Sequence, residues 1–348
     1  MQDIERHLID RSATIKEALR KLNDLAADAI LFVVDQERHL IGSLTDGDVR
    51  RGFLRGLTFE SAVESFIQAN PKYIQRNNYS IEKIIEYRNK NLKIVPVVDD
   101  AQKVVTIINF RQNKSYLPVD AVLMAGGRGE RLRPLTDTIP KPLLPIANKP
   151  IIDYNLDRLV SFGIDDLWIS VRYLGEKIRE QVGDGSGRGV RIQYIQEDEP
   201  LGTIGAVRKV DSFSHPYVLV SNSDLLTNLD YEDFFIDFQR SDAALSVVTI
   251  PYMVNVPYAV LETANGHVVS FKEKPSYTYY SNGGIYLMKR EVIQNIPPNT
   301  FYNATDFMEL LIKQGQKVIS YPMRGYWLDI GRPEDYQKAS IDINHIKF

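Results

Sequence analysis

The sequence predicts an α/β protein in two parts: a small α+β module made of two similar halves, then a larger core with a mainly parallel sheet. Three observations carry this. Two segments repeat each other at an offset of 64 residues. Beyond residue 118, β-branched runs alternate with helical spacings over ~200 residues, the pattern of βαβ units. At ~100–200 residues per domain, 348 residues make about two cores.

In the first half of the module, Ile30–Asp35 and Leu40–Thr45 are β-branched strands around a polar turn, and Ile15, Ala18, Leu19 and Leu22 precede them at helical spacing. Residues 94–99 and 104–109 repeat that hairpin, and Ile81, Ile84 and Ile85 repeat the helix. Ser115-Tyr116-Leu117-Pro118 marks the boundary, giving a module over 1–115 and a core over 118–344. Core strands are expected at 121–124, 167–171, 191–195, 217–220, 244–250 and 317–321, and helices at 151–162, 176–182, 231–240 and 304–314.

Composition narrows function. Forty-two basic against 45 acidic residues give a net charge of −3, without the basic surplus that nucleic acid requires. No cysteine is present, which excludes disulfides, thiolate metal sites and thiol nucleophiles. The charged first residues and the lack of any apolar run near ~18 residues suggest a cytoplasmic protein without a membrane anchor.

The strand 121–124 runs into Ala125-Gly126-Gly127-Arg128-Gly129-Glu130-Arg131. Closely spaced glycines let backbone N–H groups converge on an anion, and the carboxyl end of a strand is where open α/β sheets bind ligands. A tight turn needing φ > 0 would use the same glycines. The loop lacks the Gly-Lys-Ser/Thr ending of a Walker A and has Leu132 where a dinucleotide fingerprint needs glycine. Arg131 and Lys141 are candidate phosphate ligands. Asp224, after the strand 217–220, and Asp329, a carboxylate within Trp327-Leu328-Asp329-Ile330, suit a Mg²⁺ site, although a turn cap and a buried salt bridge would explain them equally.

Leu123–Thr136 followed by Pro140-Lys141-Pro142-Leu143-Leu144-Pro145 resembles the signature of the sugar-1-phosphate nucleotidyltransferases, or NDP-sugar pyrophosphorylases. The resemblance continues through Pro200-Leu201-Gly202-Thr203, Phe271–Pro275, Asn282–Tyr286 and Tyr326–Pro333, across essentially all of 118–340. It implies a Rossmann-like core that makes an NDP-sugar and pyrophosphate from an NTP and a hexose or hexosamine 1-phosphate. It further implies Mg²⁺ on Asp224 and Asp329, catalytic Arg131, Lys141 and Lys274, and nucleotide contacts from Gly126, Gly127, Gly129, Gln196, Glu199, Gly202 and Thr203. Ala259, Glu273, Asn282 and Gly283 would line the sugar pocket. Two departures stand out: Ser223-Asp224 where the family commonly has Gly-Asp, and Tyr258-Ala259 where it commonly has Tyr-Gly, whose added methyl could narrow that pocket.

Guanine's two donors suit a carboxylate such as Glu197 or Glu199, whereas thymine and uracil suit the amide of Gln196, so the residues leave GTP against dTTP or UTP, and the resemblance to family members that carry a paired front module implies GTP. Gly42–Arg50 resembles the nucleotide motif of CBS domains, implying an adenine or guanine nucleotide on Thr45 and Asp48; Thr45-x-x-Asp48 is also a good capping box. A tandem CBS module implies a homo-oligomer, dimer or tetramer. The rival reading is a catalytically silent homologue that senses nucleotide or sugar.

Overall fold

A computed structural model of the chain describes residues 2–346; Met1, the first residue of the module as read above, lies outside them. The front module is two half-units. The first is a four-stranded sheet ordered Leu8–Asp10, Leu31–Val34, Leu40–Leu44, Gln68–Ala69, with Leu8–Asp10 parallel to Leu31–Val34. The second is ordered Ile74–Gln75, Ile94–Val98, Val104–Asn109, with the same parallel first pair and antiparallel hairpin. The repeat extends to irregularities: the hairpin register slips between Val33 and Val34 in one unit and between Val97 and Val98 in the other. The helix Ile15–Leu25 starts at a reciprocal cap, in which the Glu17 amide donates to Thr14 Oγ1 at 3.3 Å and the Thr14 amide to Glu17 Oε2 at 2.8 Å.

The units differ in what they pack against. The first has its own cluster, including Ile15, Leu22, Leu31, Leu44, Val49 and Phe66, and on its other side Leu8, Phe32 and Val34 pack with Ile94, Val98 and Val104 of the second. The second has no helix after its hairpin, and Ile74, Ile81, Ile84, Val95 and Ile108 join one apolar cluster with Leu159, Phe162 and Ile164 of the core. Polar groups follow. Arg88 bridges Glu232 (3.0 and 2.7 Å), and Arg76 donates to Asp165 at 3.2 Å and Asp166 at 2.8 Å. The chain crosses into the core at Ser115–Pro118, where its punctuation suggested, but the packing is continuous across that point.

The core sheet has seven strands ordered Arg191–Gln196, Asp166–Val171, Val119–Met124, Tyr217–Asn222, Ser276–Lys289, Leu245–Asn255, Val318–Pro322. It is mainly parallel; Ser276–Lys289 alone runs against its neighbours. The helices Ile151–Ser161, Gly175–Val182, Tyr231–Ser241 and Ala304–Lys313 fall where the 3.6-residue spacing placed them. In the register, Asn222 pairs with Met124 and Met124 with Ser170, so three parallel strands end together at one edge.

The expectation of a strand over 244–250 was too short. That strand runs Leu245–Asn255 and pairs with the fourteen-residue strand Ser276–Lys289, read from sequence only as a motif. A hairpin, Val260–Ala264 with His267–Lys272, tips this ribbon. Inward of Thr249 and Gly283 the ribbon is core; between Pro251 and Ser281 nearly every residue is exposed, and the ribbon becomes a projecting arm.

Candidate active site

Where the three strands end, the backbone turns outward. Val119–Met124 feeds the glycine loop, Asp166–Val171 ends at Arg172, and Tyr217–Asn222 ends at Ser223-Asp224. They frame a cleft of about 480 Å³ lined by Gly127, Gly129, Arg131, Lys141, Arg172 and Asp224, among others. Gly127 has no heavy atom within 4 Å of where a Cβ would stand, so its backbone faces the open cleft. Gly129 has φ +63, and a Cβ there would press on Lys141 and Thr136, each at 3.0 Å. Gly126 lies where a Cβ would strike Glu197 Oε1 at 2.6 Å.

Asp224 and Asp329, far apart in sequence, converge. The short strands Leu225–Thr227 and Trp327–Asp329 pair antiparallel with Leu225 opposite Asp329, and the Ile330 amide donates to the Asp224 carbonyl at 3.1 Å. Beneath them Leu132, Leu226, Leu328, Ile330 and Ala339 form one apolar cluster, which ties the glycine loop and both carboxylate segments to the helix Pro333–Asp342. Asn155 holds the turn from the other side, donating to the Leu225 carbonyl at 2.8 Å and the Ser223 carbonyl at 3.3 Å.

The buried Lys141 ammonium sits between the two carboxylates, paired with Asp224 and 3.7 Å from Asp329. Asp224 Oδ1 and Asp329 Oδ1 are both buried without a hydrogen-bond partner. Burial, and then the neighbouring Asp224 charge, push the Asp329 carboxyl above its ordinary range, against the opposing pull of Lys141 and Arg131. Arg131 lies over Gly331, where a Cβ would meet its guanidinium at 3.1 Å. Two orphaned carboxylate oxygens facing one cation fit a hard divalent ion, which takes oxygen ligands and tolerates few protein donors.

Ser223 explains one departure: its hydroxyl donates to the Met124 carbonyl at 2.7 Å, stitching two strand ends together. Arg172, which lines the cleft, was missed from sequence; the available signal was a cation just past the strand 167–171.

Other expected site residues have different surroundings. The Glu197 carboxylate is buried, accepting from Ser170 and, at 3.0 Å, from the Leu201 amide, so it has little left for a base. Gln196 accepts from Arg179 at 3.1 Å, and Glu199 is exposed at the same strand end. Thr203 accepts from the Ala304 amide at 2.8 Å, holding a helix N-terminus, and Gly202 (φ +75) is required because Tyr302 backbone lies 2.4 Å from its would-be Cβ. Asn282 exchanges hydrogen bonds with Tyr286, and the Gly283 carbonyl accepts from Trp327 at 2.9 Å, both at the foot of the arm. Ala259, Glu273 and Lys274 are on the arm, and none lines the cleft. Ala259, expected to narrow a sugar pocket, lies in an exposed turn of the arm.

In the front module Asp48 Oδ2 accepts from both the amide (2.9 Å) and hydroxyl (2.6 Å) of Thr45, and Oδ1 from Arg51. This is the capping arrangement, and it occupies the groups that the resemblance assigned to nucleotide. An open cleft of about 550 Å³ in the same module is lined by Arg20, Lys21 and Arg38 opposite Glu5, Asp10 and Glu17, without Thr45 or Asp48. At the module–core junction Asp120, Asp166 and His215 form a buried cluster. Burial would raise Asp166, but Arg76 and Arg191 outweigh it and hold the carboxyl low; with both oxygens so engaged, it is a charge-balanced joint.

Fold and cleft together define an α/β protein with a glycine- and cation-lined cleft at the carboxyl edge of its sheet. Residues 120–345 match the nucleotidyl transferase family, and the chain belongs to it; residues 5–55 match the CBS domain. The chain is 35% identical over 233 residues to a mannose-1-phosphate guanylyltransferase of Mycobacterium tuberculosis, covering 65% of this chain and 64% of that protein. It is 32% identical over 230 residues to a D-glycero-α-D-manno-heptose 1-phosphate guanylyltransferase of Aneurinibacillus thermoaerophilus (65% and 99%). It is likewise 32% identical over 241 residues to a UTP–glucose-1-phosphate uridylyltransferase of Synechocystis (63% and 62%). The chain thus spans less than two thirds of the length of the first and third of these proteins. A Bacillus anthracis structure, solved with sucrose and described as a candidate glucose-1-phosphate thymidylyltransferase, shares the fold: TM-score 0.53, 24% identity, 66% of this chain and 97% of that one. Among the described residues no helix is long and apolar enough to cross a membrane.

Proposed function

We propose that this chain transfers a nucleotidyl group from an NTP to a sugar 1-phosphate and releases pyrophosphate, with a guanine nucleotide as the preferred donor. One observation carries the reading: the Lys141 ammonium lies between two carboxylates with orphaned oxygens, beside a glycine loop open to solvent. Such a transfer is mainly positioning and charge neutralisation. The phosphate oxygen of the sugar 1-phosphate attacks the α-phosphorus in line; that P–O bond forms as the α–β bridging bond breaks and pyrophosphate takes the electron pair. The attacking oxygen is already anionic, so no general base is needed. Backbone N–H groups of the glycine loop and the Arg131 and Lys141 cations would hold the triphosphate. Asp224 and Asp329 would hold Mg²⁺, which when bound neutralises charge on the phosphate oxygens.

Guanine is favoured because the Mycobacterium tuberculosis and Aneurinibacillus relatives are guanylyltransferases and exposed Glu199 stands at the expected strand end. The shared register slip supports reading residues 74–109 as a second, degenerate CBS-type repeat. A pyrophosphate-release screen of five NTPs against mannose, heptose and glucose 1-phosphates tests the reading. GTP with a mannose- or heptose-type acceptor should dominate. Dominance of UTP or dTTP overturns the base assignment, and release at the no-enzyme level for every pair overturns the reaction.

A further inference from the structure

Arg172 lines the cleft, and the proposed transfer leaves it without a task. It stands one residue past Val171, which pairs with Gln196 across two parallel strands. The Glu197 amide donates to the Val171 carbonyl at 3.0 Å, so the sheet fixes the backbone up to that point. The next residue is anchored as well: the Tyr173 hydroxyl reaches the Thr136 and Asp137 carbonyls at 3.2 and 3.0 Å, just past the glycine loop. Yet Arg172 Nε is buried without a hydrogen-bond partner. A buried guanidinium N–H normally finds an acceptor. A firmly mounted arginine with an orphaned donor in a cleft wall is therefore set to take one from a ligand.

The sheet order says which part of a nucleotide supplies it. Adjacent strands lie about 4.8 Å apart, so the strand ending at Arg172 is about 10 Å from the one ending at Asp224, with the glycine loop between them. The two cations assigned to the triphosphate are on the Asp224 side: Lys141 is paired with Asp224, and Arg131 lies over Gly331, two residues past Asp329. With the phosphates held there, the nucleoside extends across the loop toward Arg172 and the neighbouring strand end at Gln196. We infer that Arg172 reads guanine through its O6/N7 edge, an inference that rests on the guanine preference proposed above. A guanidinium is a planar fork of donors and accepts nothing. Guanine presents two neighbouring acceptors, O6 and N7, which such a fork meets bidentately. Adenine puts an amino donor where O6 stands in guanine, thymine and uracil offer O4 alone, and cytosine offers a donor. The N1–H and N2–H₂ donors of guanine are left for a carboxylate such as Glu199.

Calorimetric titration of the full chain with GTP and with 7-deaza-GTP, in which a C–H replaces N7, tests this in wild type and in Arg172→Met. Wild type should bind GTP about tenfold more tightly than 7-deaza-GTP, the scale of a lost base-edge acceptor. In Arg172→Met that gap should close while 7-deaza-GTP still binds, which verifies a folded cleft. Equal binding of the two nucleotides by wild type overturns the inference. So does a gap of unchanged size in Arg172→Met, which would make the arginine a phosphate contact. Pyrophosphate release is read separately: a gap that closes in the variant, with no release by wild type for any pair, sustains Arg172 as the guanine reader and overturns only the reaction.

Discussion

The strands Leu245–Asn255 and Ser276–Lys289 pass through two environments. Their inner halves are buried in the sheet next to a polar cleft; their outer halves stand exposed and apolar in the arm. Residues that one family signature grouped together are divided between these zones. Arg131, Lys141, Asp224 and Asp329 meet at the cleft, whereas Ala259, Glu273 and Lys274 ride the arm. The difference teaches that the cleft residues are brought together by the fold itself, through strand ends in common register, while the place of Ala259, Glu273 and Lys274 depends on where the arm is held.

Removing a cleft carboxylate should break that contrast most. Asp224→Ala is expected to lower kcat by about 10²–10³-fold, the scale of a lost charge-stabilising group, with the thermal midpoint nearly unchanged. Turnover within threefold of wild type would discard the Asp224 role. Ile330→Ala attacks the same zone from below: emptying a fully buried site should cost about 2–5 kcal/mol by denaturant titration and loosen Asp329. On the arm, Lys274→Ala should raise KM for the sugar phosphate about tenfold while KM for the nucleotide stays put; equal changes in both would show that this lysine serves no sugar-side role. The smallest effect is expected at Thr203→Val, which removes an acceptor from the Ala304 amide and should cost about 1 kcal/mol with nucleotide KM unchanged. A selective rise in that KM would instead make the hydroxyl a ligand contact.

Much of the fold was legible in the chain. Helical spacing located Ile151–Ser161 and Ala304–Lys313 nearly to the residue, and the 64-residue repeat was real down to its bulges. The convergence of Asp224 and Asp329 could not be derived from spacing, because it depends on the pairing Leu225–Asp329, and only the resemblance brought them together. The arm was hidden for a different reason. Residues 251–281 mix Pro, Asn and Gly with aromatics, so local patterning gave no strand there, and long-range pairing makes them. Glu197 was misjudged because a carboxylate's chemistry says nothing of the Ser170 and Leu201 donors waiting for it.

The fusion of the second half-unit with the sheet gives the molecule a thermodynamic grain that differs from its covalent one. Ile74, Ile81 and Val95 cannot leave water-free surroundings without exposing Leu159 and Phe162, so these elements should lose structure together as one cooperative block. The first half-unit keeps a cluster of its own around Phe66 and Leu31 and is coupled to its sister through a second one, in which Leu8, Phe32 and Val34 meet Ile94, Val98 and Val104. Strain applied to it is therefore passed to its sister through that shared cluster, and from the sister to the cleft-bearing sheet.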